Sequence, residues 1–255
     1  MSTWVLLRGL TREARHWGDF PARLQAALPA ARVMTLDLPG NGALAGERSP
    51  AHITDMVESC RAQLRARGVA MPVYILAMSL GAMVAVAWAE HYPQEVLGAV
   101  LINTSLRPFS PAHWRLRPRH ALSLLQLAMT GAAARPWEDA ILRMTSAHAQ
   151  QRSAVLDQWI AWREQAPVSR LNALRQLWAA MRYCAPRLAP APPMLILNGG
   201  ADDLVDPRCS LRLAAAWQVP LAIHTHAGHD LPLDDGDWVA AQVRDWIATQ
   251  PLSAA

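Results

Sequence analysis

A short apolar run, Val73 to Leu76, meets an Ala-rich helical pattern at a single serine, Ser79. The run has the length of a buried strand, and Leu80 to Ala89 is apolar enough to be buried on every side. A serine at such a junction sits on a tight turn, so the residues two before and two after it must be small. Ala77 and Gly81 meet that demand. The turn lifts the hydroxyl above the sheet edge and aims the N–H of Leu80 where an oxyanion would form. Serine is also a good helix N-cap, so this stretch alone leaves a structural and a chemical role open.

The rest of the chain alternates in the same way. Trp4 to Leu7 reads as a first strand, ended by Arg8-Gly9-Leu10, with a polar loop over Thr11 to Trp17. A helix follows over Phe20 to Leu28, where Asp19 and Pro21 suit its first turn. Arg32 to Leu38 reads as a strand that stops at Pro39-Gly40-Asn41-Gly42. Ile53 to Arg67 places Ile53, Met56, Val57, Cys60 and Leu64 on one helical face. After the serine helix comes the strand Val96 to Ile102.

From Leu106 to about Pro186 strand-like runs vanish. Helical patterns run over Ala121 to Met129, Pro136 to His148, Ser153 to Gln165 and Ser169 to Tyr183. Alternation then resumes with the strand Met194 to Leu197, a helix Cys209 to Trp217, a strand Leu221 to Thr225 and a helix Trp238 to Thr249. The expected architecture is a mostly parallel α/β sheet, covered by helices on both faces. Residues 1–106 and 187–255 form its core, and residues 107–186 form a helical cap inserted over it. Such sheets place their sites at the carboxyl ends of strands. Arg8-Gly9-Leu10, Ser79, Asp202 and His229 all fall just after a predicted strand.

The 255 residues suffice for one such domain, and 52% hydrophobic content argues against disorder. No apolar run is long enough to span a membrane. The N-terminus runs straight into a strand, with no basic segment and cleavage site of a secretory leader. Cys60, Cys184 and Cys209 are odd in number and widely spaced, which fits a cytoplasmic protein and no metal site. The net charge of +4 rests on 24 arginines and no lysine. Those arginines are spread along the chain, with no aromatic-and-basic platform for nucleic acid.

Serine needs a base to take its proton and an acid to orient that base. The order Ser79, Asp202, His229 supplies all three. With Arg8-Gly9-Leu10, Asp37-Leu38-Pro39-Gly40-Asn41-Gly42, Ala77-Met78-Ser79-Leu80-Gly81, Gly199-Gly200-Ala201-Asp202-Asp203-Leu204-Val205 and Gly228-His229-Asp230 in this sequence, the chain resembles the α/β-hydrolases over essentially its whole length. The resemblance implies Ser79 as nucleophile, His229 as base and Asp202 as acid. In the family the acid commonly lies three residues after a strand-ending Gly and three before a Val, which Gly199 and Val205 match. Asp203 is the alternative acid, or a cap for the helix that follows. The resemblance also implies the N–H of Leu10 as the second oxyanion donor beside Leu80. Arg8 stands where relatives often carry His. His16, in the loop after Leu10, is expected either to touch substrate or to face solvent. His224 and His226 are expected to be structural.

The implied activity is a carboxylesterase working through an acyl-enzyme on small or medium acyl esters, with no metal or cofactor. Within the fold, the cap resembles that of pimeloyl-ACP methyl ester esterase-type enzymes. There, cap arginines meet an acidic acyl carrier protein, and the arginines of residues 107–186 permit that partner. Thioester or C–C bond hydrolysis, perhydrolysis and a non-catalytic binding role use the same fold.

Overall fold

The computed structural model describes residues 1–130, 133–149 and 152–250. Residues 251–255, included in the expected core, lie outside it. Six strands form one sheet: β1 (Thr3–Leu7), β2 (Arg32–Leu36), β3 (Val73–Met78), β4 (Val96–Ile102), β5 (Met194–Gly199) and β6 (Leu221–His224). Their order is β2-β1-β3-β4-β5-β6, and every neighbouring pair is parallel.

The helices are α1 (Phe20–Ala27), α2 (Ile53–Ala66), α3 (Leu80–His91), α4 (Ala112–Arg115), α5 (Pro118–Thr130), α6 (Ala134–Thr145), α7 (Ser153–Gln165), α8 (Arg170–Arg182), α9 (Arg208–Trp217), α10 (Leu231–Asp234) and α11 (Gly236–Ala248). Among the described residues, five of them, α4 to α8, lie between β4 and β5.

Side chains alternate across a strand, so each strand feeds two cores. Val5, Leu7, Ile75, Ala77, Ala99, Leu101 and Ile196 pack with α2, α3 and α9 on one face. Trp4, Leu6, Leu76, Met78, Val100, Ile102, Leu195 and Leu197 pack with α1 and α11 on the other. The central strands β1, β3, β4 and β5 are largely buried on both faces, which explains their near-continuous apolar runs, whereas the edge strands β2 and β6 are only partly buried. Helix α3 lies inside this packing, with Leu80 to Ala89 all buried. It stops at Tyr92, because Pro93 disfavours helical backbone in the residue before it.

Thr11 to Trp17, expected as a polar loop, is largely buried. It contains a 3-10 turn, Ala14–Trp17, and buries Arg12, Glu13, His16 and Trp17. The charged groups there are paired inside the molecule, a fact that composition does not reveal. The helix expected over Pro136 to His148 ends at Thr145. Its continuation is drawn out by tertiary hydrogen bonds: Ser146 Oγ donates to Asp234 Oδ1 at 2.5 Å, and the Ala147 N–H to Asp234 Oδ2 at 2.9 Å.

Candidate active site

The carboxyl ends of the strands bring the named residues to one edge of the sheet. Ser79 directly follows β3 and holds φ 54°, ψ −114°. A positive φ is costly for a residue with a Cβ and persists only where its surroundings fix it. Here the Ser79 N–H donates to Ile102 O at 3.0 Å, and β3 is paired on both sides. The close approach of α3 also explains Gly81, where a Cβ would lie 2.5 Å from Leu7 O and 2.6 Å from Arg8 O. Ser79 makes no side-chain cap bond to α3, so its hydroxyl is not spent as an N-cap.

Gly9 follows β1 beside this serine; a Cβ there would sit 3.1 Å from Ser79 Cβ. Among the described residues, neither the Leu10 nor the Leu80 N–H has a hydrogen-bond acceptor. Leu80 opens α3, where the first N–H groups have no partner within the helix.

Asp202 and His229 meet across the loops after β5 and β6. His229 Nδ1 donates to Asp202 Oδ2 at 2.7 Å, and both side chains are buried. Asp202 Oδ1 accepts the N–H groups of Leu204 and Val205, each at 2.9 Å. With both oxygens engaged, the carboxylate has one orientation, and the proton on Nδ1 leaves His229 Nε2 as an acceptor. Among the described residues Ser79 Oγ and His229 share no hydrogen bond, and such bonds often tighten only when substrate binds.

Asp203 faces the other way. It pairs with Arg119, with His120 at 2.9 Å and with Arg117 at 3.6 Å. It does not cap α9, whose first turn is served instead by Asp206 through the Arg208 N–H at 3.0 Å. The Arg208 guanidinium beside it lowers Asp206 to about 2.

The family profile described as serine aminopeptidase, S33, matches residues 3–235. The chain belongs to that α/β-hydrolase family. No curated protein matches it by sequence. Among solved structures, it resembles an enol-lactonase from Burkholderia xenovorans LB400 at TM-score 0.76 and 20% identity, over 97% of this chain and 91% of that one. A thermophilic esterase from Thermogutta terrifontis superposes at TM-score 0.73 and 20% identity, over 97% and 90%. A hydrolase from Pseudomonas aeruginosa PA01 does so at 0.73 and 21%, over 97% and 90%. At these identities the likeness is one of fold.

In this α/β-hydrolase the His229 loop is held by residues that sequence motifs do not mark. Asn103, buried after β4, donates from Nδ2 to His229 O at 2.7 Å and Gly228 O at 3.0 Å. Its Oδ1 accepts the Gly199 N–H at 2.8 Å, which joins the loops after β4, β5 and β6. The signal available was a polar residue directly after an apolar strand. Arg8 and Asp230, the neighbours of Gly9 and His229, form a buried two-point ion pair at 3.1 and 2.5 Å. Arg8 also lies over the Trp17 ring, 4.8 Å from its centroid. The arginine that departs from the family habit therefore fastens the β1 loop to the His229 loop.

His16 neither faces solvent nor is free to titrate. It is buried edge-on to Trp159 and Trp162, with ring centroids 5.3 Å away in each case. Burial first, then the Arg12 guanidinium, push it well below the usual histidine range. His224 is structural, as expected: its Nδ1 accepts the N–H groups of His226 and Ala227, and it lies 3.2 Å from Asp235. Among the described residues no cluster of His, Cys, Asp and Glu could hold a metal ion, and no helix is long and apolar enough to cross a membrane.

Proposed function

We propose that this α/β-hydrolase is a carboxylesterase with Ser79 as nucleophile, His229 as base and Asp202 as acid. Ser79 Oγ attacks the ester carbonyl while His229 Nε2 takes its proton. The N–H groups of Leu10 and Leu80 hold the tetrahedral oxyanion. His229 then protonates the departing alkoxide, and the alcohol leaves an acyl-enzyme. Water repeats the sequence, releases the acid and restores Ser79. Asp202 keeps the imidazole in the tautomer that accepts at Nε2 and stabilises the cation formed.

The observation that carries this reading is the backbone of Ser79, held at positive φ with its hydroxyl uncommitted. A serine kept only as a helix cap needs neither. Residues 107–186 act as a cap over the site, and the substrate is a small or medium acyl ester. An acidic carrier protein is less favoured, because many of the arginines in residues 107–186 are engaged within the chain. Arg119 pairs with Asp203, Arg135 with Asp157, Arg143 with Asp139 and Arg163 with Glu138.

Release of p-nitrophenol from acetate, butyrate and octanoate esters tests the proposal. Turnover by the wild type and its loss in Ser79→Ala is the expected result. A wild type without turnover on all three esters would overturn it.

A further inference from the structure

The two oxyanion donors are aimed by different means. Leu80 is fixed by the packing of α3. Leu10 lies on a turn closed by the Arg12 N–H to Gly9 O at 3.2 Å. Within that turn Thr11 holds φ 56°. A β-branched residue adopts positive φ only where neighbours fix it.

Those neighbours come from the helices between β4 and β5. Gln176 on α8 is fully buried, and its Oε1 accepts the Thr11 N–H at 2.9 Å. Its Nε2 donates to Asn41 Oδ1 at 2.8 Å and Ser49 Oγ at 3.0 Å, so the amide has one consistent orientation. Asn41 Nδ2 in turn donates to Arg12 O at 2.9 Å. Glu138 on α6, also buried, pairs with Arg12 at 2.6 Å and Arg163 at 3.2 Å. The Arg12 guanidinium stacks over Trp159, 4.1 Å from its centroid. Burying an amide and a carboxylate is costly unless their partners are well placed, and an apolar side chain would fill the same space more cheaply. Both groups reach the same four-residue turn.

We infer that Gln176 and Glu138 are positioning residues that aim the Leu10 N–H at the developing oxyanion. The helical segment thus sets half of the oxyanion hole as well as covering the sheet edge. This role rests on the esterase reading above.

The test compares wild type, Gln176→Met and Glu138→Asp. It measures kcat and KM on p-nitrophenyl butyrate per active site titrated with a fluorophosphonate. Inhibition by a trifluoromethyl ketone, a mimic of the tetrahedral state, and Tm complete it. Gln176→Met keeps length and volume but removes both the acceptor for the Thr11 N–H and the donor to Asn41 and Ser49. It should lower kcat about ten- to hundredfold and weaken the ketone in parallel. KM should stay within about twofold of wild type, since the loss falls on the transition state. Glu138→Asp keeps the charge but draws the carboxylate back by one methylene, so it no longer reaches both Arg12 and Arg163; it should lower kcat by a smaller factor, with KM again unchanged.

Wild-type kcat and ketone affinity per titrated site in both variants would overturn the inference, whatever happens to Tm. If Gln176→Met fails to fold, unchanged kcat in Glu138→Asp overturns it alone. A wild type without turnover would overturn the esterase reading first, and this role with it.

Discussion

Helices α3 and α8 are built on opposite principles. In α3 every residue from Leu80 to Ala89 is buried, and all are apolar or glycine. In α8 the buried residues include Asn172 and Gln176, while Leu171 is 74% exposed and Trp178 50%. Mainly non-directional burial places α3, where apolar side chains of similar volume would serve. Directional bonds place α8: Asn172 grips Ser49 and Glu47, Gln176 grips Thr11 and Asn41, and Arg175 grips Ser49 O. Near this site, burial therefore does not coincide with hydrophobicity. The apolar helix carries the load of folding, and the polar one carries alignment.

The same contrast recurs within one dipeptide and gives the largest expected effect. Asp202 is buried and held at both oxygens, whereas Asp203 is half-exposed among cations. Asp202→Asn should lower kcat/KM on p-nitrophenyl butyrate by about 10⁴-fold, and Asp203→Asn by no more than about twofold. Equal losses would erase the distinction. Next comes Trp88, fully buried in α3, whose Nε1 donates to Glu95 at 2.9 Å. Trp88→Ala should cost about 3–5 kcal/mol in urea unfolding.

A smaller effect belongs to His16. Its folded pKa is lowered by burial, so the unfolded chain takes up the proton first as pH falls below the ordinary value of 6.5. Its contribution is fully present above that pH and is lost on acidification, by at most about 1.4 kcal/mol per pH unit. Stability of wild type and His16→Gln, measured from neutral pH downward, should diverge with that sign. The smallest effect is at the outward face of α8. Leu171→Ser should change stability by no more than about 0.5 kcal/mol, and a larger loss would show that this face is packed.

The regions most legible in the sequence are those ruled by the α3 principle. Apolar runs located all six strands, and β4 begins and ends where the run Val96 to Ile102 does. The tight turn at Ser79 was readable because it restricts its neighbours locally. The order of motifs also singled out Asp202 and His229, which the fold joins by a hydrogen bond.

What stayed hidden depends on partners distant in sequence. Nothing within α8 says that Gln176 turns inward, since its acceptor and donor groups are matched by Thr11, Asn41 and Ser49. Arg8 could be seen as a departure, but its pairing with Asp230 spans 222 positions. His16 lies in a stretch that reads as polar, and its burial is created by Trp159 and Trp162 from α7. Asn103 follows its strand like any turn residue, and only the assembled loops give it work.

The most direct test of the central claim is stoichiometric labelling with a fluorophosphonate, read by intact mass and peptide mapping. The expected result is one adduct per chain on Ser79, absent in Ser79→Ala and strongly slowed in His229→Ala. Ester hydrolysis that persists in Ser79→Ala, or an adduct mapped to another serine, would contradict it.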